Sequence, residues 1–371
     1  MVHHTDSEDA PRVASFGQHE FGEWPAEGLE RVPACPLCGS GARVVLHAGL
    51  RDHAFKTAPG EWVLQRCEDC ECAYLDPRPD AATISLAYAR YYTHGDGTQD
   101  PALVRFGRGI ARACLNHRYG TAYPNAIPGG QYLAGFVPRI EVSLDAGYAR
   151  HLGPPSREGA RLLDVGCGNG AFLQLAAHMG WSAEGIDFDE VAVSAACAAG
   201  CKAIHGKLEN LPFGKGRYQH VTLSHVVEHA RDPIGLLKQC LELLAPGGRL
   251  WLETPNLRSF GHGVFGPSWR GLEPPRHLVL FDRRSLTAAL VRAGFTGIEF
   301  REHPGVTVFM WEQSRVIARA SALGAQSVRN RLLASRPGMI VAELYETLRT
   351  EQSEFLTCVA FKPQGTAGSG S

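Results

Sequence analysis

Two pairs of cysteines have the residue type and spacing of a metal site. Cys35 and Cys38 form one Cys-x-x-Cys pair, and Cys67 and Cys70 form a second pair further along the chain. Two such pairs can place four thiolates around one Zn²⁺ ion in a tetrahedron, with Zn–S bonds of about 2.3 Å. Because all four positions would be filled, we expect a structural site that stabilises a small module. Cys72 is an alternative to Cys70, and the alternative to zinc is a set of buried thiols or a redox pair.

A glycine-rich turn follows an apolar segment that is typical of a buried strand. The segment includes Asp164, and Gly166, Gly168 and Gly170 follow it at alternate positions. Glycine adopts positive φ without strain and lets a ligand approach the backbone closely. Asp187 closes the next apolar segment, where a carboxylate can accept hydrogen bonds from both hydroxyl groups of a ribose. Together these residues predict a nucleoside site at the carboxyl ends of two neighbouring strands.

A dinucleotide-binding turn of the NAD type is the alternative for this segment. That turn has the pattern G-x-G-x-x-G, which would put its third glycine at the position of Ala171. An acidic residue ahead of the first glycine, here Asp164, suits a ligand with a cationic amino-acid end better than a pyrophosphate. The pattern therefore favours a ligand other than NAD.

Three ionisable residues follow a further apolar segment and are suited to removing a proton from a substrate. They are His225, Glu228 and His229, and histidine and glutamate are common general bases. Spacings of three and four residues would place them on one face of a helix. The alternative is that Glu228 and His229 cap or brace the helix that follows.

A second candidate for acid–base chemistry is His277, in the polar segment Trp269–His277. Loops at the ends of strands often carry binding and catalytic residues, so we interpret His277 as a general base or a substrate ligand. The alternative is a histidine that only stabilises its loop. The segment Tyr119–Tyr132, with Tyr91 and Tyr92, could form an aromatic lid or could simply pack.

Strand and helix patterns alternate in the C-terminal half and predict the elements that position these residues. The predicted strands are Arg161–Val165, Ala183–Ile186, Cys201–Ile204, Tyr218–Leu223, Arg249–Glu253, Ile298–Arg301 and Phe355–Phe361. Such alternation predicts an α/β fold with a mostly parallel sheet and helices on both faces. A helical segment, Trp311–Thr350, is predicted to be an insertion that covers the site or makes an oligomer contact.

The composition is that of a globular protein without a strong overall charge. The 371 residues are 44% apolar and 20% charged, and the formal net charge is -1. No global positive field would attract nucleic acid or an anionic membrane, although Arg276, Arg283 and Arg284 could form a local basic patch. No apolar run is long enough to span a membrane, and the first residues lack the apolar core of a signal peptide. We therefore expect a cytoplasmic protein with a small-molecule substrate, and a homo-oligomer is compatible with this expectation.

The segment Leu162–Gly170 resembles motif I of the class I S-adenosylmethionine-dependent methyltransferases. Similar motifs follow in the family's order at Gly206–Phe213, Leu223–Pro233 and Leu244–Gly248. The resemblance covers roughly residues 158–302 and looks closest to the ubiquinone-methyltransferase-like branch. It implies a seven-stranded Rossmann-like sheet and S-adenosyl-L-methionine as cofactor.

The resemblance also implies which residues meet the cofactor. They are Asp164, Gly166, Gly168, Asp187, Phe188, Leu208 and His225. The first three would line the methionine part, Asp187 would hold the ribose, and Phe188 and Leu208 would lie beside the adenine. Lys207 stands where the family often has an acidic residue, so Glu209 or a backbone carbonyl would accept from the adenine amino group.

The N-terminal part resembles bacterial methyltransferases that carry a zinc ribbon, among them sugar C-methyltransferases of antibiotic pathways. Besides the cysteines, the resemblance lies in Tyr74–Pro79 and in tyrosines at 88, 91 and 92. Composition and pattern along the chain predict a flexible arm at 1–30, a zinc-binding module at 31–80, a helical linker and lid at 81–157, a methyltransferase domain at 158–363 with a helical insertion near 311–350, and a flexible tail at 364–371.

We therefore expect an S-adenosylmethionine-dependent C- or O-methyltransferase acting on a small molecule or sugar of bacterial specialised or glycan metabolism. The candidates for catalysis are His225, Glu228 and His277. The alternative is a methyltransferase-like binding or scaffold protein without turnover. A zinc-ribbon enzyme acting on nucleic acid is disfavoured by the near-neutral charge.

Overall fold

The structure is a computed structural model, and it describes residues 22–88, 102–134, 140–208, 214–321 and 334–364. Most of the predicted arm at 1–30 and nearly all of the predicted tail at 364–371 lie outside the described residues. The same holds for Tyr91, Tyr92 and Glu209, and for residues 322–333 in the predicted insertion.

The described strands and helices alternate through the C-terminal half as the sequence predicts. The strands are β1 Leu29–Glu30, β2 Arg43–Leu50, β3 Trp62–Cys67, β4 Ala73–Leu75, β5 Arg78–Pro79, β6 Arg161–Val165, β7 Ser182–Asp187, β8 Lys202–His205, β9 Tyr218–Ser224, β10 Leu244–Pro255, β11 Val279–Leu280, β12 Thr296–Arg301 and β13 Phe355–Phe361. The helices are α1 Ala102–Tyr119, α2 Gly130–Ala134, α3 Ile140–Gly147, α4 Ala171–His178, α5 Glu190–Ala198, α6 Pro233–Leu243, α7 Phe260–Phe265, α8 Arg283–Ala293, α9 Thr307–Ala320 and α10 Arg336–Leu348. Within the described residues, none of these helices combines the length and apolarity that a membrane span needs.

Seven strands form one mixed sheet in the order β12-β13-β10-β9-β6-β7-β8. Neighbours from β10 to β8 run parallel, whereas β13 is antiparallel to both β10 and β12. This is the predicted seven-stranded Rossmann-like sheet, so the predicted fold class is confirmed. The chain continues from β6 to β7 on one side, while β9 pairs with β6 on the other. A crevice therefore opens at the carboxyl ends of β6 and β9, where sheets of this kind bind their ligands.

The central strand β6 shows why this sequence folds here. Leu162, Leu163 and Val165 are buried, as a strand paired on both sides and covered by helices requires. Helix α5 begins after Asp189, whose side chain accepts hydrogen bonds from the N–H groups of Val191 and the next residue. Such a cap satisfies backbone donors that the helix itself leaves unpaired.

Residues of the predicted zinc module form a second sheet, which a strand from the C-terminal half completes. Its order is β11-β4-β3-β2, and all of its pairs are antiparallel. Trp62 and Leu64 of β3 share one buried apolar cluster with Trp269 and Trp311. The 31–80 boundary stays a prediction, but the sheet and its core extend beyond that range.

Two helices, α9 and α10, occupy the described parts of the predicted insertion near 311–350. Met310 and Trp311 of α9 and Met339 and Ala342 of α10 are buried in the same apolar cluster as the second sheet. These helices therefore bury apolar surface against the N-terminal region, and a covering or oligomer role for them stays a prediction.

Candidate active site

The glycine-rich turn joins β6 to α4 and needs glycine for its backbone conformation. Gly166 and Gly168 have positive φ angles of 77° and 51°, which other residues rarely adopt. A Cβ atom on Gly166 would lie 2.5 Å from Cγ2 of Val226, whereas a Cβ atom on Gly168 would meet nothing within 4 Å. The turn is therefore closed at Gly166 and open at Gly168, where a ligand has room to approach.

Asp187 ends β7, and its carboxylate fixes the conformation of this turn. Its Oδ2 accepts a hydrogen bond from the N–H of Gly168 at 2.8 Å, and its Oδ1 accepts one from the N–H of Asp189 at 2.9 Å. An ionised carboxylate offers about four acceptor sites, so both oxygens keep the capacity to accept from ribose hydroxyls. The structure thus brings the residue predicted to hold the ribose next to the turn predicted to hold the methionine part.

Asp164 lies beneath the turn, and its side chain is fully buried. Its Oδ1 accepts hydrogen bonds from the guanidinium of Arg150 and, at 2.6 Å, from the hydroxyl of Thr222. Burial raises the pKa of Asp164, and Arg150 opposes that shift. Its Oδ2 has no hydrogen-bond partner among the described residues. In the structure Asp164 bonds to Arg150 and Thr222. Its contact with a cofactor stays a prediction.

Phe188 and Leu208, the residues expected beside the adenine, differ in exposure. Phe188 is 61% exposed and meets the ring of Tyr88 edge-on, with ring centroids 5.4 Å apart. Leu208 is half-buried and packs against the main apolar core. An exposed aromatic ring next to Asp187 is suited to stacking on a nucleobase, although contact of either residue with adenine stays a prediction.

His225 follows β9 in a backbone conformation that differs from the sequence prediction. Its φ is +54°, in the left-handed region, and a 3₁₀ turn at Val227–His229 begins after it. The three ionisable residues therefore do not share one face of a helix, and that prediction was wrong. Helix α6 is capped instead by Asp232, whose side chain accepts from the N–H of Gly235. Glu228 and His229 therefore do not cap this helix, and the alternative that they brace it stays a prediction.

His225 lies between two buried glutamates. Its Nδ1 is 3.3 Å from Oε1 of Glu228, its Nε2 is 3.4 Å from Oε1 of Glu253, and its side chain is 37% exposed. Burial lowers the pKa of the imidazole, but hydrogen bonds and charge interactions with the two carboxylates outweigh burial and raise the pKa of His225 to about 10. At neutral pH the protonated ring donates its two N–H groups to the two glutamates and has no lone pair left to accept a proton, so it is not suited to be a general base.

Threonine hydroxyls and a second histidine hold these glutamates in place. Thr254 donates to Oε2 of Glu228 at 3.0 Å, and Thr357 donates to Oε2 of Glu253 at 2.6 Å. His303 also bonds to Oε2 of Glu253 through its Nδ1. The sequence analysis missed Glu253 and His303, because a glutamate inside a predicted strand and a lone histidine carry no pattern that links them.

His229 and His277 come together beside Glu228, with ring centroids 4.8 Å apart. Nδ1 of His229 lies 3.0 Å from the carbonyl oxygen of Arg276, and Nδ1 of His277 lies 2.8 Å from that of Gly271. A carbonyl oxygen only accepts, so both Nδ1 atoms carry the proton. Burial lowers the pKa of His277 to about 4, so its ring is neutral at pH 7.

Arg276 is completely buried, so it does not belong to the local basic patch that the sequence suggested. Its guanidinium donates to Asp52 at 2.6 and 3.0 Å and to Glu273 at 2.9 Å. Asp52 lies in the N-terminal region, so this ion pair joins that region to the loop that carries His277.

The four cysteines predicted to bind metal lie together. Their Sγ atoms are all within 4.8 Å of one another. Those of Cys35 and Cys70 are 3.5 Å apart, as are those of Cys38 and Cys67. A ZnS₄ tetrahedron with bonds of about 2.3 Å needs S–S separations near ~3.8 Å, so the donor set and its spacing fit zinc. Cys72 is also close, with its Sγ 3.4 Å from that of Cys35.

Known proteins are similar in sequence to the part of the chain that forms this sheet and turn. The family model for a methyltransferase domain matches residues 140–299. A ubiquinone biosynthesis O-methyltransferase from Xanthomonas oryzae pv. oryzae is 34% identical over 176 residues, which make up 44% of this chain and 72% of the relative. This chain belongs to the class I S-adenosylmethionine-dependent methyltransferases.

Two further similar proteins come from other organisms. The ubiquinone biosynthesis O-methyltransferase of Burkholderia vietnamiensis is 29% identical over 195 residues, covering 48% of this chain and 79% of the relative. The structure of phosphoethanolamine N-methyltransferase 2 from Haemonchus contortus with S-adenosyl-L-methionine covers 79% of this chain and 63% of that chain, at 17% identity and a TM-score of 0.44.

The predicted family and enzyme class are confirmed: this methyltransferase depends on S-adenosylmethionine. The open side of the turn at Gly168 and the acceptor capacity of Asp187 fit that cofactor. The matched family region begins at residue 140 and does not include the four cysteines. Their role therefore depends on their own geometry.

Proposed function

We propose that this methyltransferase methylates an oxygen or carbon atom of a small molecule, such as a sugar, in bacterial specialised or glycan metabolism. The observation that carries the proposal is the cluster of His225, Glu228 and Glu253. It lies at the carboxyl ends of β9 and β10, at the same edge of the sheet as the cofactor turn. Similarity to ubiquinone biosynthesis O-methyltransferases supports an oxygen acceptor.

In this proposal the cofactor lies along the turn after β6. S-adenosyl-L-methionine, when bound, supplies a methyl group on a positively charged sulfonium. Gly166 and Gly168 give the backbone conformation of the turn, and Gly168 leaves room beside it. Asp187 would accept hydrogen bonds from the ribose hydroxyls, and Phe188 and Leu208 would lie beside the adenine. The carboxylate of Asp187 also contributes negative charge that favours a cationic ligand.

The remaining polar residues prepare the acceptor, which must lose a proton if it reacts through oxygen or carbon. Burial raises the pKa of Glu228, but the hydrogen bond with His225 outweighs it, so the net shift is downward and Glu228 is ionised. Glu228 and the neutral His277 are therefore suited to accept the proton. Protonated His225 donates both of its N–H groups to Glu228 and Glu253 and so orients the two carboxylates.

We also propose that the four cysteines bind one structural Zn²⁺ ion. Four thiolates leave no coordination position for a substrate, and the cluster lies beside the second sheet, far in sequence from the cofactor turn. Cysteines must stay reduced to bind zinc, and the cytoplasm keeps thiols reduced. A zinc site of four cysteines therefore supports a cytoplasmic location. The near-neutral net charge supports a small molecule rather than nucleic acid or an anionic membrane as the partner.

The experiment that tests the proposal separates an enzyme from a scaffold. Calorimetric titration with S-adenosyl-L-methionine measures binding. Incubation with methyl-labelled cofactor and fractionated bacterial small-molecule extracts measures turnover, read by mass spectrometry as the gain of one labelled methyl group. We expect saturable binding of the cofactor and labelled methyl groups in a small molecule. The Glu228→Gln variant should lose methyl transfer but keep cofactor binding. Binding without transfer to any fraction would favour the scaffold alternative.

A further inference from the structure

The loop that carries His277 is attached to the N-terminal region on both sides of the histidine. On one side, the guanidinium of the buried Arg276 donates to both carboxylate oxygens of Asp52, at 2.6 and 3.0 Å. On the other side, the carbonyl of Leu278 accepts from the N–H of Leu75 at 3.1 Å, and the two residues of β11 that follow pair with β4. The position of His277 therefore depends on residues that are far away in sequence.

Asp52 is oriented by its own loop, between β2 and β3. Its Oδ1 accepts from the N–H of Phe55 at 3.0 Å, and its Oδ2 accepts from the N–H groups of Thr57 and Ala58 at 3.0 and 3.1 Å. Burial raises the pKa of Asp52, but Arg276 and these N–H groups outweigh burial and lower the pKa. An ionised carboxylate and a guanidinium that share two hydrogen bonds hold each other in one orientation.

Two histidines of the candidate site depend on Arg276 for their orientation. The carbonyl of Arg276 accepts from Nδ1 of His229 at 3.0 Å. Its backbone N–H and that of His277 both donate to the carbonyl of Glu273, and its Nε donates to Oε1 of Glu273 at 2.9 Å. Glu273 has a φ of +34°, in the left-handed region, which costs energy and persists only where surrounding contacts enforce it. Arg276 supplies such contacts for the turn that ends at His277.

The geometry of Arg276 is specific to arginine. Besides Asp52 on one side and Glu273 on the other, its NH1 donates to the carbonyl of Ala87 at 2.9 Å, and the ring of Phe55 lies 4.4 Å from its guanidinium carbon. A lysine keeps the positive charge, but it concentrates its donors on one atom and cannot form these planar, two-sided bonds. Arg276→Lys therefore separates the orientation of the loop from its charge.

We propose that Asp52 and Arg276 are positioning residues for methyl transfer, and that their buried ion pair holds His277 and His229 in place at the acceptor. This inference rests on the proposed function, in which His277 is suited to accept a proton from the acceptor. The N-terminal region then contributes to the reaction without touching substrate or cofactor. The cofactor turn is fixed separately by Asp187, so loosening the ion pair should slow transfer and leave cofactor affinity unchanged.

Conservative variants test this role with methyl-labelled cofactor and the small-molecule fraction that the unaltered enzyme methylates. In Arg276→Lys and Asp52→Asn we expect kcat to fall about tenfold or more, because a misplacement of about 1 Å can cost roughly a hundredfold in rate. Calorimetric affinity for S-adenosyl-L-methionine should not change. Arg51→Lys is the matched control, since Arg51 belongs to the exposed pair with Glu61, and it should keep both the rate and the affinity.

A spectroscopic measurement reads the histidine without any acceptor. In protein labelled with nitrogen-15 histidine, the ring signals of His277 are assigned by their loss in His277→Gln. We expect these signals to shift or broaden at neutral pH in Arg276→Lys and to stay unchanged in Arg51→Lys. A role in stability alone would lower the free energy of unfolding and leave the ring signals of the folded protein where they are.

The proposal is overturned if Arg276→Lys binds the cofactor and shows the kcat and the His277 signals of the unaltered enzyme. If Arg276→Lys does not bind the cofactor because it fails to fold, Asp52→Asn decides by the same two measurements. If the unaltered enzyme labels no fraction, the proposed function fails. The histidine signals then still show whether the ion pair orients His277, and unchanged signals would reject that as well.

Discussion

The cofactor turn and the second sheet are held together in opposite ways. The turn is fixed by neighbours, because Asp187 at the tip of β7 accepts from Gly168 on the adjacent strand's turn. The second sheet is fixed by partners far away in sequence, because β11 pairs with β4 and Arg276 bonds to Asp52. Interactions of the first kind leave a motif in the sequence, and those of the second kind do not. One chain thus contains a region that can be recognised from residues and a region that only the fold reveals.

The largest effect, loss of a bound metal ion, is expected at the four cysteines beside the second sheet. They are the motif of this region that the sequence shows. Cys70→Ser should release the zinc, because binding of a structural Zn²⁺ contributes roughly 10–16 kcal/mol in zinc-finger peptides. Cys72→Ala is the matched control, since Cys72 is the neighbouring thiol that spacing alone leaves as an alternative. Metal analysis of the purified variants measures the zinc content. If Cys72→Ala loses zinc and Cys70→Ser keeps it, Cys72 and not Cys70 is the fourth zinc ligand.

Removing a long-range contact of the second sheet should cause the next largest effect, a loss in the free energy of unfolding. Asp52→Ala removes the main partner of a fully buried arginine, Arg276, and breaking one half of a buried ion pair costs about 3–5 kcal/mol. Glu61→Ala is the control in the same region, because Glu61 and Arg51, which flank β3 and β2, form an exposed pair, worth roughly 0–1 kcal/mol. Denaturant unfolding measures the free energy of unfolding of each variant. Equal losses in the two variants would show that the buried pair does not join the regions.

The same contrast explains how much could be predicted from the sequence. The strands at Arg161–Val165 and Phe355–Phe361 have the bounds that their continuous apolar runs predicted, because burial on both faces selects such runs. The paired cysteines and Asp187 were found by spacing alone. The two-residue strand β11 could not be found, since it is too short for a periodic pattern and forms only because β4 offers it a partner.

Side chains of the candidate site show the same limit. His225 was identified by type and position, but its left-handed backbone and its contact with Glu253 depend on how β9 and β10 align. Residue type does not give a pKa, and two carboxylates converge on this ring only in the folded sheet. Its interpretation as a general base therefore gives way to one as a protonated ring that orients both glutamates once they are placed beside it.

At the cofactor turn we expect a moderate effect on cofactor binding. Asp187→Ala should weaken binding of S-adenosylhomocysteine by about 1–3 kcal/mol, because hydrogen bonds to a charged group are lost. Asp189→Asn is the control, since it lies two residues away and an asparagine still caps α5. Isothermal calorimetry measures both affinities. If Asp187→Ala binds as tightly as the unaltered enzyme, the carboxylate does not hold the ribose.

The smallest predicted effect is a dependence of stability on pH that arises at a contact of the second sheet. His47 of β2 faces His262 of α7, with their Nε2 atoms 2.9 Å apart. Burial, and secondarily the His262 ring, lowers the pKa of His47 to about 4. An unfolded histidine has a pKa of about 6.5. As the pH falls through this interval, the unfolded chain takes up a proton that the folded chain does not.

His47 therefore contributes stability that is fully present above about pH 6.5 and is lost as the pH falls towards 4, amounting to about 1–2 kcal/mol between pH 7 and pH 5. Urea unfolding at a series of pH values should show a shallower decline for His47→Gln than for the unaltered enzyme. His178→Gln, on the exposed end of α4, should follow the unaltered enzyme. Parallel curves for all three proteins would mean that the contact between β2 and α7 tolerates a charged imidazole. The second sheet would then depend on the buried arginine pair and the cysteines, and this histidine contact would not contribute to holding it.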